Sequence, residues 1–431
     1  MIVIIKILII FNILYGINPD DFSLNQIEDF TSSRSIENNL ADDSIVDLRS
    51  GDNGKIYLGT SGGISMIDQA NDFWHFEDSN LPSGGNPATI TYDLDNGETM
   101  IVLSGVGSYY SQAEDADIVY GTGIAWSVDS GVSWNFTEQP TDNLPNCEGY
   151  NNSTICSPAA TGCSWHPVDG CSYQGSYVPF DWYGQTAYSN PITVDDKNVT
   201  YDISVDTDNK YIYIASWAGM LRRLHYESTN PSWELIPLPE DIDGFGDEDE
   251  LLCGGISQSY VYNPVNPPTG NHNHKPYAVH IEGNIIWVGT ANGINKGLIN
   301  PDGCIDWTHQ TTLTSNLAGD WIIDVVPQYL QNGITRIWLI SRELVSPPEP
   351  HGLTYSDDGG DTWVIVNQFN DVNDGGTEGA ITYNLFFDSN ALMYISTDKG
   401  LYYSNEGNEQ YWNVLSVQND CFSDTQKIYT F

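Results

Sequence analysis

The segment Ile56-Tyr-Leu-Gly-Thr-Ser-Gly-Gly63 decides the fold, because its pattern returns along the whole chain. It consists of an apolar, an aromatic and an apolar residue, followed by small residues and glycine. Similar segments begin at Met100, Ile212, Ile286, Ile337 and Met393, and a shortened copy begins at Ile428. Self-similarity of this kind, at periods of about 20–50 residues, indicates a protein built from repeated structural units.

The residues around each copy of the motif predict four short strands, which we name A to D. Alternating apolar residues precede the motif, for example Tyr277, Val279 and Ile281, and a tight turn follows them. Alternation that ends in a turn predicts a β-hairpin. A tryptophan then follows the glycine of each motif at a nearly constant distance. These tryptophans are Trp74, Trp134, Trp233, Trp307, Trp363 and Trp412.

Four-stranded units at this period are typical of β-propeller blades. We therefore predict an all-β fold in which residues 18–431 form a β-propeller. Six units are complete, and we expect seven blades. The last blade would lack strand C and would combine Cys421–Phe431 with a strand from the N-terminal region. Six blades remain an alternative, and eight blades would require a further blade within residues 140–195.

The sequence pattern Ser-x-Asp-x-Gly-x-x-Trp occurs twice at the turn between strands C and D. The two copies are Ser127, Asp129, Gly131 and Trp134, and Ser356, Asp358, Gly360 and Trp363. They resemble the Asp-box (BNR) repeat of sialidases, sortilin-type receptors, some xyloglucan-degrading enzymes and photosystem assembly factors. The resemblance implies a structural turn at the blade periphery. We expect the Asp to accept backbone hydrogen bonds, the Gly to adopt a positive φ and the Trp to anchor the hairpin.

A second resemblance covers most of residues 40–420. The segments at 39–65 and 280–294 resemble the propeller repeats of two-component regulators, whose sensor regions are extracytoplasmic. No kinase or DNA-binding segment accompanies these repeats, so the signalling output of the regulators is not implied.

The N-terminal residues and the cysteines predict export. Residues 1–17 contain one lysine and an apolar run that is shorter than the ~20 residues of a membrane span, which is typical of a signal peptide. A buried N-terminal strand is the alternative. Four cysteines, Cys147, Cys156, Cys163 and Cys171, lie close together in an insertion at about 140–195. We expect them to form disulfides, by hypothesis in sequential pairs, although three pairings exist. Cys253, Cys304 and Cys421 are scattered.

Charge and composition exclude several classes of partner. The chain has 14 Lys+Arg and 58 Asp+Glu, which gives a formal net charge of −44. A field of this sign repels nucleic-acid phosphates and anionic lipid. Apolar residues make up 40% of the chain, which includes 13 Trp and 26 Tyr, and this content argues against disorder. We expect no nucleic-acid partner and no membrane span after signal removal.

The long connections of the predicted propeller point to a ligand site. They lie at 105–120, 144–193, 240–276 and 343–351, and blade topology predicts that all four project from one rim. Their aromatic residues suit sugar stacking or a protein partner. The candidate ligand residues are Tyr109, Tyr110, Trp165, Tyr173, Trp182 and Tyr183. The alternative is that these loops pack on themselves and cover the channel mouth.

Several catalytic readings find no support in the sequence. Sialidases bind the substrate carboxylate with three arginines, and none of the six arginines here lies in an Arg-Ile-Pro motif. Arg222 and Arg223 read as exposed strand charges. No Gly-x-Ser-x-Gly motif is present for a serine triad. Hydrolysis of glycosides by two carboxylates stays open, because 58 acidic residues do not identify a pair. We therefore expect no catalytic residues.

Calcium is the one metal hypothesis that the sequence supports. The acidic loop at about 240–276 contains Asp241, Asp243, Asp247 and Asp249 at alternate positions, which resembles a calcium loop. Phe245 stands where an EF-hand has a ligand, and a solvated acidic loop is the alternative reading. His272, His274 and His280 form a second cluster, but their Pro-rich surroundings favour a polar loop. No other cofactor is expected.

These observations predict a secreted or cell-surface, non-catalytic β-propeller that binds a protein or polysaccharide through its loop-rich rim. A carbohydrate-active hydrolase or lyase of the Asp-box type is the alternative. A third reading is that the chain is one module of a longer secreted protein.

Overall fold

The computed structural model describes most of the region from residue 45 to residue 414. The described ranges are 45–50, 55–67, 73–86, 88–144, 163–166, 170–173, 177–241, 250–257, 259–264, 271–330, 332–342, 344–345, 348–366, 381–387, 392–397, 400–404 and 413–414. The predicted signal peptide, the N-terminal closing strand and the final strands at 421–431 lie outside these residues.

The described residues form β-strands and one 3-10 helix, at His272–His274. The strands are β1 (Ile45–Ser50), β2 (Ile56–Thr60), β3 (Gly63–Ile67), β4 (Phe73–His75), β5 (Thr89–Asp93), β6 (Thr99–Ser111), β7 (Ala116–Ser127), β8 (Asn135–Thr137), β9 (Cys163–His166), β10 (Gly170–Tyr173), β11 (Val178–Trp182), β12 (Gln185–Ser189), β13 (Asp202–Asp206), β14 (Tyr211–Ser216), β15 (Met220–His225), β16 (Trp233–Leu235), β17 (Glu250–Leu251), β18 (Val261–Tyr262), β19 (Pro276–Glu282), β20 (Ile285–Thr290), β21 (Gly293–Ile299), β22 (Ile305–Gln310), β23 (Ile322–Tyr329), β24 (Thr335–Ser341), β25 (Leu344–Val345), β26 (Pro348–Glu349), β27 (Gly352–Ser356), β28 (Val364–Ile365), β29 (Thr382–Phe387), β30 (Met393–Thr397), β31 (Gly400–Ser404) and β32 (Asn413–Val414).

Six antiparallel sheets correspond to the six complete sequence repeats. In each of them the four strands follow the order A-B-C-D. Blade I is β1-β2-β3-β4, blade II is β5-β6-β7-β8, blade III is β13-β14-β15-β16, blade IV is β19-β20-β21-β22 with β17 added to its outer edge, blade V is β23-β24-β27-β28, and blade VI is β29-β30-β31-β32. The repeat motif that opens on Ile56 is therefore strand B and the turn that leads to strand C.

The blades pack against one another through their strands A. Strand A of each blade contacts strand A of the next, from β1 and β5 through β13, β19 and β23 to β29. Four-stranded antiparallel sheets that radiate from a common centre define a β-propeller. The predicted fold class is confirmed. The number of blades in the closed ring stays a prediction, because the closing strands lie outside the described residues.

The small residues of the motif serve the turn between strands B and C. The hydroxyl of Thr60 accepts a hydrogen bond from the backbone N–H of Gly62 at 3.2 Å. The hydroxyls of Ser216 and Thr290 accept equivalent bonds at 3.0 Å and 3.1 Å. A short hydroxyl side chain at the end of strand B thus satisfies a turn donor that strand pairing leaves unbonded.

The two Ser-x-Asp-x-Gly-x-x-Trp turns have nearly the same geometry. In the second copy, the Asp358 carboxylate accepts bonds from the Thr362 backbone N–H at 2.8 Å and from the Ser356 hydroxyl at 2.8 Å. Hydrogen bonds from Thr362 and then Ser356 hold the pKa of Asp358 at about 2. In the first copy, Asp129 accepts the corresponding bonds from Ser133 and Ser127 at 2.9 Å and 2.7 Å.

Each of these turns packs on the preceding blade. The buried Trp363 meets Trp287 of blade IV edge to face, with 6.0 Å between ring centroids, and Trp134 meets Phe76 beside blade I at 5.6 Å. Gly360 lies in the left-handed region at φ +92°, and an added Cβ would lie 2.6 Å from the Trp287 ring. The turn therefore couples neighbouring blades at the periphery.

We predict that Gly360→Ala destabilises the protein more than Gly359→Ala. Both glycines have a positive φ, which costs an alanine about 1 kcal/mol. A Cβ at Gly359 would find only the Lys296 Nζ, at 3.6 Å, whereas one at Gly360 would overlap the Trp287 ring. Overpacking adds roughly 1–3 kcal/mol. Urea denaturation would measure both variants, and equal free energies of unfolding would contradict the proposed contact.

A disulfide joins Cys253 to Cys304, two of the cysteines that appear scattered in the sequence. It attaches the acidic insertion to the turn between strands C and D of blade IV. Beside it, β17 pairs with β22 and extends blade IV by a fifth strand. The backbones of Cys163 and Cys171 lie in the hairpin of β9 and β10. The pairing of the four clustered cysteines lies outside what the structure describes.

Candidate ligand-binding face

The longest hairpin of the structure rises from blade II. Strands β6 and β7 contain 13 and 12 residues, whereas strand B of the other blades contains five to seven. The sequence predicts a loop at 105–120, but these residues continue the strand pairing to Ser111 and Ala116. At about 3.3 Å per residue, the hairpin reaches roughly 20 Å past Gly105.

The connections between blades hold this hairpin at both edges. On one side, the backbone N–H and C=O of Val106 bond to Gly85, which follows blade I. On the other side, the backbone N–H of Lys197, which precedes blade III, donates to Val119 at 2.7 Å. The connections from strand D to strand A and the hairpin between strands B and C therefore meet at one rim, as blade topology predicts. We call this rim the loop-rich face.

Tyr109 and Tyr110 lie near the end of the hairpin and are 45% and 57% exposed. The Tyr109 hydroxyl donates to the Asp196 carboxylate at 2.7 Å, and that of Tyr110 donates to Asp115. These hydrogen bonds raise the pKa of both phenols. An ion pair between Lys197 and Glu114, at 2.8 Å, links the hairpin tip to the connection before blade III. The two tyrosine rings are thus exposed and fixed in position.

The insertion between blades II and III forms small sheets of its own and contains no four-stranded blade in the part that the structure describes. Strands β9 and β10 form one hairpin, which contains Trp165 and Tyr173. Strands β11 and β12 form another, and β12 pairs in parallel with β18. The side chains of Trp165 and Tyr173 lie outside the described structure.

The sequence predicts that Trp182 is a ligand residue in an exposed loop, but the structure buries its side chain. It is 1% exposed and belongs to the hydrophobic cluster between blades III and IV. Because the ring is covered, it has no surface for a ligand. Its neighbour Tyr183 is 39% exposed, and its hydroxyl donates to the backbone oxygen of Asp302 at 2.9 Å. This hairpin therefore packs against blades III and IV.

Arg222 and Arg223 are buried and ion-paired, so the reading of exposed strand charges is wrong. Arg223 is 1% exposed and binds the Glu234 carboxylate at 2.7 Å. It also donates to the Tyr183 hydroxyl at 2.8 Å, and its guanidinium lies 5.4 Å from the Trp182 ring centroid. Arg223 therefore anchors the insertion to blade III.

Carboxylates from three strands A line the central channel. Asp47 accepts a hydrogen bond from the backbone N–H of Thr89 in blade II at 2.8 Å, and Asp202 accepts one from Val279 in blade IV at 2.8 Å. Arg49 pairs with Asp47 at 2.9 Å. Burial acts to lower the pKa of Arg49, but Asp47, Asp202 and Asp324 outweigh it, and the pKa is raised.

The channel carboxyls have unequal pKa values. Burial, and then the charge of Asp324, raise the pKa of Asp202 to about 8. Burial raises the pKa of Asp324 to about 6, although Arg49 opposes this effect. Unequal pKa values on two neighbouring carboxyls are a property that acid–base catalysis requires. However, each Asp202 oxygen already accepts a backbone N–H, from Ile203 and Val279, so this carboxyl has a structural role.

A row of aromatic rings crosses the mouth of the channel at the loop-rich face. The Tyr201 and Tyr277 ring centroids are 5.2 Å apart, and those of Tyr277 and Trp321 are 5.5 Å apart. Trp217 and Ile323 pack on the same cluster. None of the ligand residues predicted from the sequence belongs to this row. The signal that could have shown it is a shared repeat position, because each ring lies at the beginning of a strand A.

Asp241 and His274 of the acidic insertion have hydrogen-bond partners within the protein. Asp241 accepts a hydrogen bond from Asn292, and Asp243, Asp247 and Asp249 lie outside the described residues. The His274 Nδ1 accepts the backbone N–H of Asn263 at 2.9 Å. Burial lowers the pKa of His274 to about 3. Within the described ranges, no three His, Cys, Asp or Glu side chains are grouped as metal ligands.

No described helix has the length and apolarity needed to cross a membrane.

Comparison with known proteins finds solved structures that are similar to this chain, and two of them are described here. No protein-family model and no curated protein matches the chain. The β-propeller domain of Cps50 (Swd1) from Myceliophteria thermophila is similar at 9% identity, with 87% of this chain and 85% of that chain covered and a TM-score of 0.42. The extracellular domain of a protein described as a hybrid two-component system, BT3049 from B. thetaiotaomicron, is similar at 14% identity, with 84% and 56% covered and a TM-score of 0.29. These values carry no functional argument, and the fold assignment rests on the sheets themselves.

We predict that Asp202→Asn changes the dependence of stability on pH. A folded-state pKa of about 8, against an ordinary value of 3.8, means that the folded protein holds the Asp202 proton more tightly. The tighter binding of this proton stabilises the folded protein fully below pH 3.8, and this stabilisation is lost as the pH rises through 8. The contribution of Asp202 to the free energy of unfolding should therefore fall between pH 6.5 and 8.

The Asp202→Asn variant should show a smaller fall over the same interval, because the amide does not ionise. His274, His280 and Lys275, whose pKa values are lowered by burial, add slopes of the opposite sign, and these slopes are common to all the proteins compared. Urea denaturation at several pH values would measure the slopes, with the exposed Asp208→Asn as the control. Equal slopes for all three proteins would show that Asp202 is ionised in the folded state.

Proposed function

We propose that this protein is an extracytoplasmic, non-catalytic binding module that holds a protein or polysaccharide partner on its loop-rich face. The observation that carries the proposal is the pair of exposed tyrosines, Tyr109 and Tyr110, on a hairpin that is bonded at both edges. Exposed aromatic rings supply contact area at low conformational cost, and rigid presentation reduces the entropy lost on binding.

The hydrogen bonds of the channel carboxylates support a binding function and argue against a catalytic one. Asp47 and Asp202 each use both oxygens to accept backbone N–H groups from their own strand and from the next blade. A nucleophile or general base needs an oxygen that can reach the substrate. The aromatic row of Tyr201, Tyr277 and Trp321 at the channel mouth supports the same conclusion, because a mouth filled by apolar side chains suits a binder.

Two features support an extracytoplasmic location. The disulfide between Cys253 and Cys304 is of a kind that persists in oxidising compartments. The apolar segment within residues 1–17 has the composition of a signal peptide. The net charge of −44 supports a partner other than a nucleic acid.

We predict that Tyr109→Ala/Tyr110→Ala weakens partner binding about tenfold or more without unfolding the protein. The matched control is Tyr329→Ala, because Tyr329 is 64% exposed but ends a strand A and so lies at the opposite rim. The mature protein would be screened on glycan arrays and against candidate extracellular proteins, with and without calcium. The affinities of the three proteins would then be measured by biolayer interferometry. Equal affinities would place the partner elsewhere.

A carbohydrate-active hydrolase is the second candidate, and the raised pKa of Asp202, to about 8, favours it. A carboxyl that keeps its proton near neutral pH can act as a general acid. Oligosaccharides bound by the protein would be incubated with it and analysed by mass spectrometry. Intact oligosaccharides are the expected result. Shorter products that disappear with Asp202→Asn would overturn the binding proposal in favour of the hydrolase.

A further inference from the structure

A groove separates the insertion from the outer edge of blade III. One wall is β11, the outermost strand of its small sheet, and the other wall is β16, strand D of the blade. The groove has a volume of about 370 Å³, within the range of small-molecule sites. Its lining includes Asp142, Asn143, Phe180, Asp181, Arg222 and Trp233. We call it the insertion groove.

Trp233 departs from the repeat in a way that creates this groove. Trp134, Trp307 and Trp363 occupy the same repeat position and are buried, whereas Trp233 is only partly buried and lines the groove. Part of its indole packs on the cluster between blades II and III. Phe180, which is also partly buried, contributes a second aromatic ring to the lining. The insertion thus leaves aromatic surface accessible at a position that is buried in blades II, IV and V.

Three carboxylates, those of Asp142, Asp181 and Glu234, line the groove, and arginines pair with two of them. Arg222 binds Asp142 at 2.8 Å, and Arg223 binds Glu234 at 2.7 Å, so two arginines neutralise two carboxylates. An anionic ligand would meet the charge of Asp181 and the field of a chain with a net charge of −44. A neutral ligand with hydroxyl groups avoids this repulsion and leaves both ion pairs intact.

The polar groups of the groove match the hydroxyl groups of a sugar. Asn143 and Asp181 are exposed at the groove and provide an amide and a carboxylate. Asp181 keeps its orientation because its two oxygens accept the backbone N–H of Gly184 at 3.2 Å and 3.1 Å. A carboxylate and an amide beside an aromatic ring can bond to sugar hydroxyls while the ring contacts the apolar face of the sugar.

Hydrogen bonds beside the groove attach the insertion to blades III and IV and join segments of the insertion to one another. Arg223 donates to the Tyr183 hydroxyl at the end of β11 and to the backbone oxygen of Gly303 in blade IV, at 2.8 Å and 2.6 Å. Asp142 accepts the backbone N–H of Ile192, which follows β12, at 2.9 Å. A site whose walls are fixed before binding loses less entropy when a ligand enters.

We propose that the insertion groove binds a neutral sugar unit of a polysaccharide through Trp233, Phe180, Asn143 and Asp181. This inference rests on the proposed function and names the class of partner and a second contact, beside blade III, distinct from the hairpin of Tyr109 and Tyr110. An extended peptide that pairs with the edge of β11 is the competing occupant, and the test distinguishes it.

The test is isothermal titration of the full chain with short neutral hexose oligosaccharides, with uronate oligosaccharides and with extended peptides. We expect the neutral oligosaccharides to bind. Trp233→Ala should weaken binding about tenfold or more, because stacking on the indole is lost. Trp233→Phe retains an aromatic ring and should restore part of the affinity. Asn143→Ala, at an exposed position, tests the polar contact without risk to the core.

Three results would decide between the proposals. Neutral oligosaccharides that bind equally to the unsubstituted protein, Trp233→Ala and Asn143→Ala would overturn the groove assignment. Binding of peptides or uronates alone, sensitive to Trp233→Ala, would overturn the neutral-sugar class. A partner lost with Tyr109→Ala/Tyr110→Ala, together with no binding of any neutral oligosaccharide, would refute the groove proposal and leave the proposed function intact. Thermal melts would verify that each variant is folded.

Discussion

The unpaired edge of each strand A is the constraint on which the rest of the structure depends. Strand A pairs only with strand B, so its second edge faces the channel and its backbone N–H groups need other acceptors. Side chains of the preceding blade supply them. Asp47 bonds to blade II, Tyr92 of blade II bonds to Val205, and Asp202 and Ser204 of blade III bond to blade IV. These bonds link successive blades at the centre, and the two tryptophan turns link them at the periphery.

This constraint determines where function can lie. The channel contains the most perturbed carboxyls of the described structure, Asp202 and Asp324, yet Asp202 is fully engaged in holding blades together. Because both oxygens of Asp47 and of Asp202 are bonded within and between blades, we propose that a partner binds outside the channel. The chain adds a long hairpin to blade II at the loop-rich face and an insertion along the outer edge of blade III, each braced by bonds to neighbouring segments.

The scarcity of basic residues explains how the arginines are used. The chain has 14 Lys+Arg, and several arginines have structural roles in the described residues. Arg49 balances the channel carboxylates, Arg222 and Arg223 attach the insertion, and Arg336 binds Asp357 while its guanidinium lies 4.1 Å from the Tyr355 ring centroid. Arginine suits such sites because its planar group can stack and hydrogen-bond at once. The outer surface consequently keeps its negative charge.

The sequence alone determined the repeat, the four strands of each unit and the turns, because these depend on hydrogen bonds and side-chain alternation between residues close in the chain. The Asp358 turn and the Thr60 hydroxyl are examples. Only the tertiary structure decided that Trp182 and Arg223 are buried, that Cys253 pairs with Cys304 and that Trp233 lines a groove. Each of these outcomes depends on how an insertion docks against a blade distant in sequence, and that docking leaves no periodic signal along the chain.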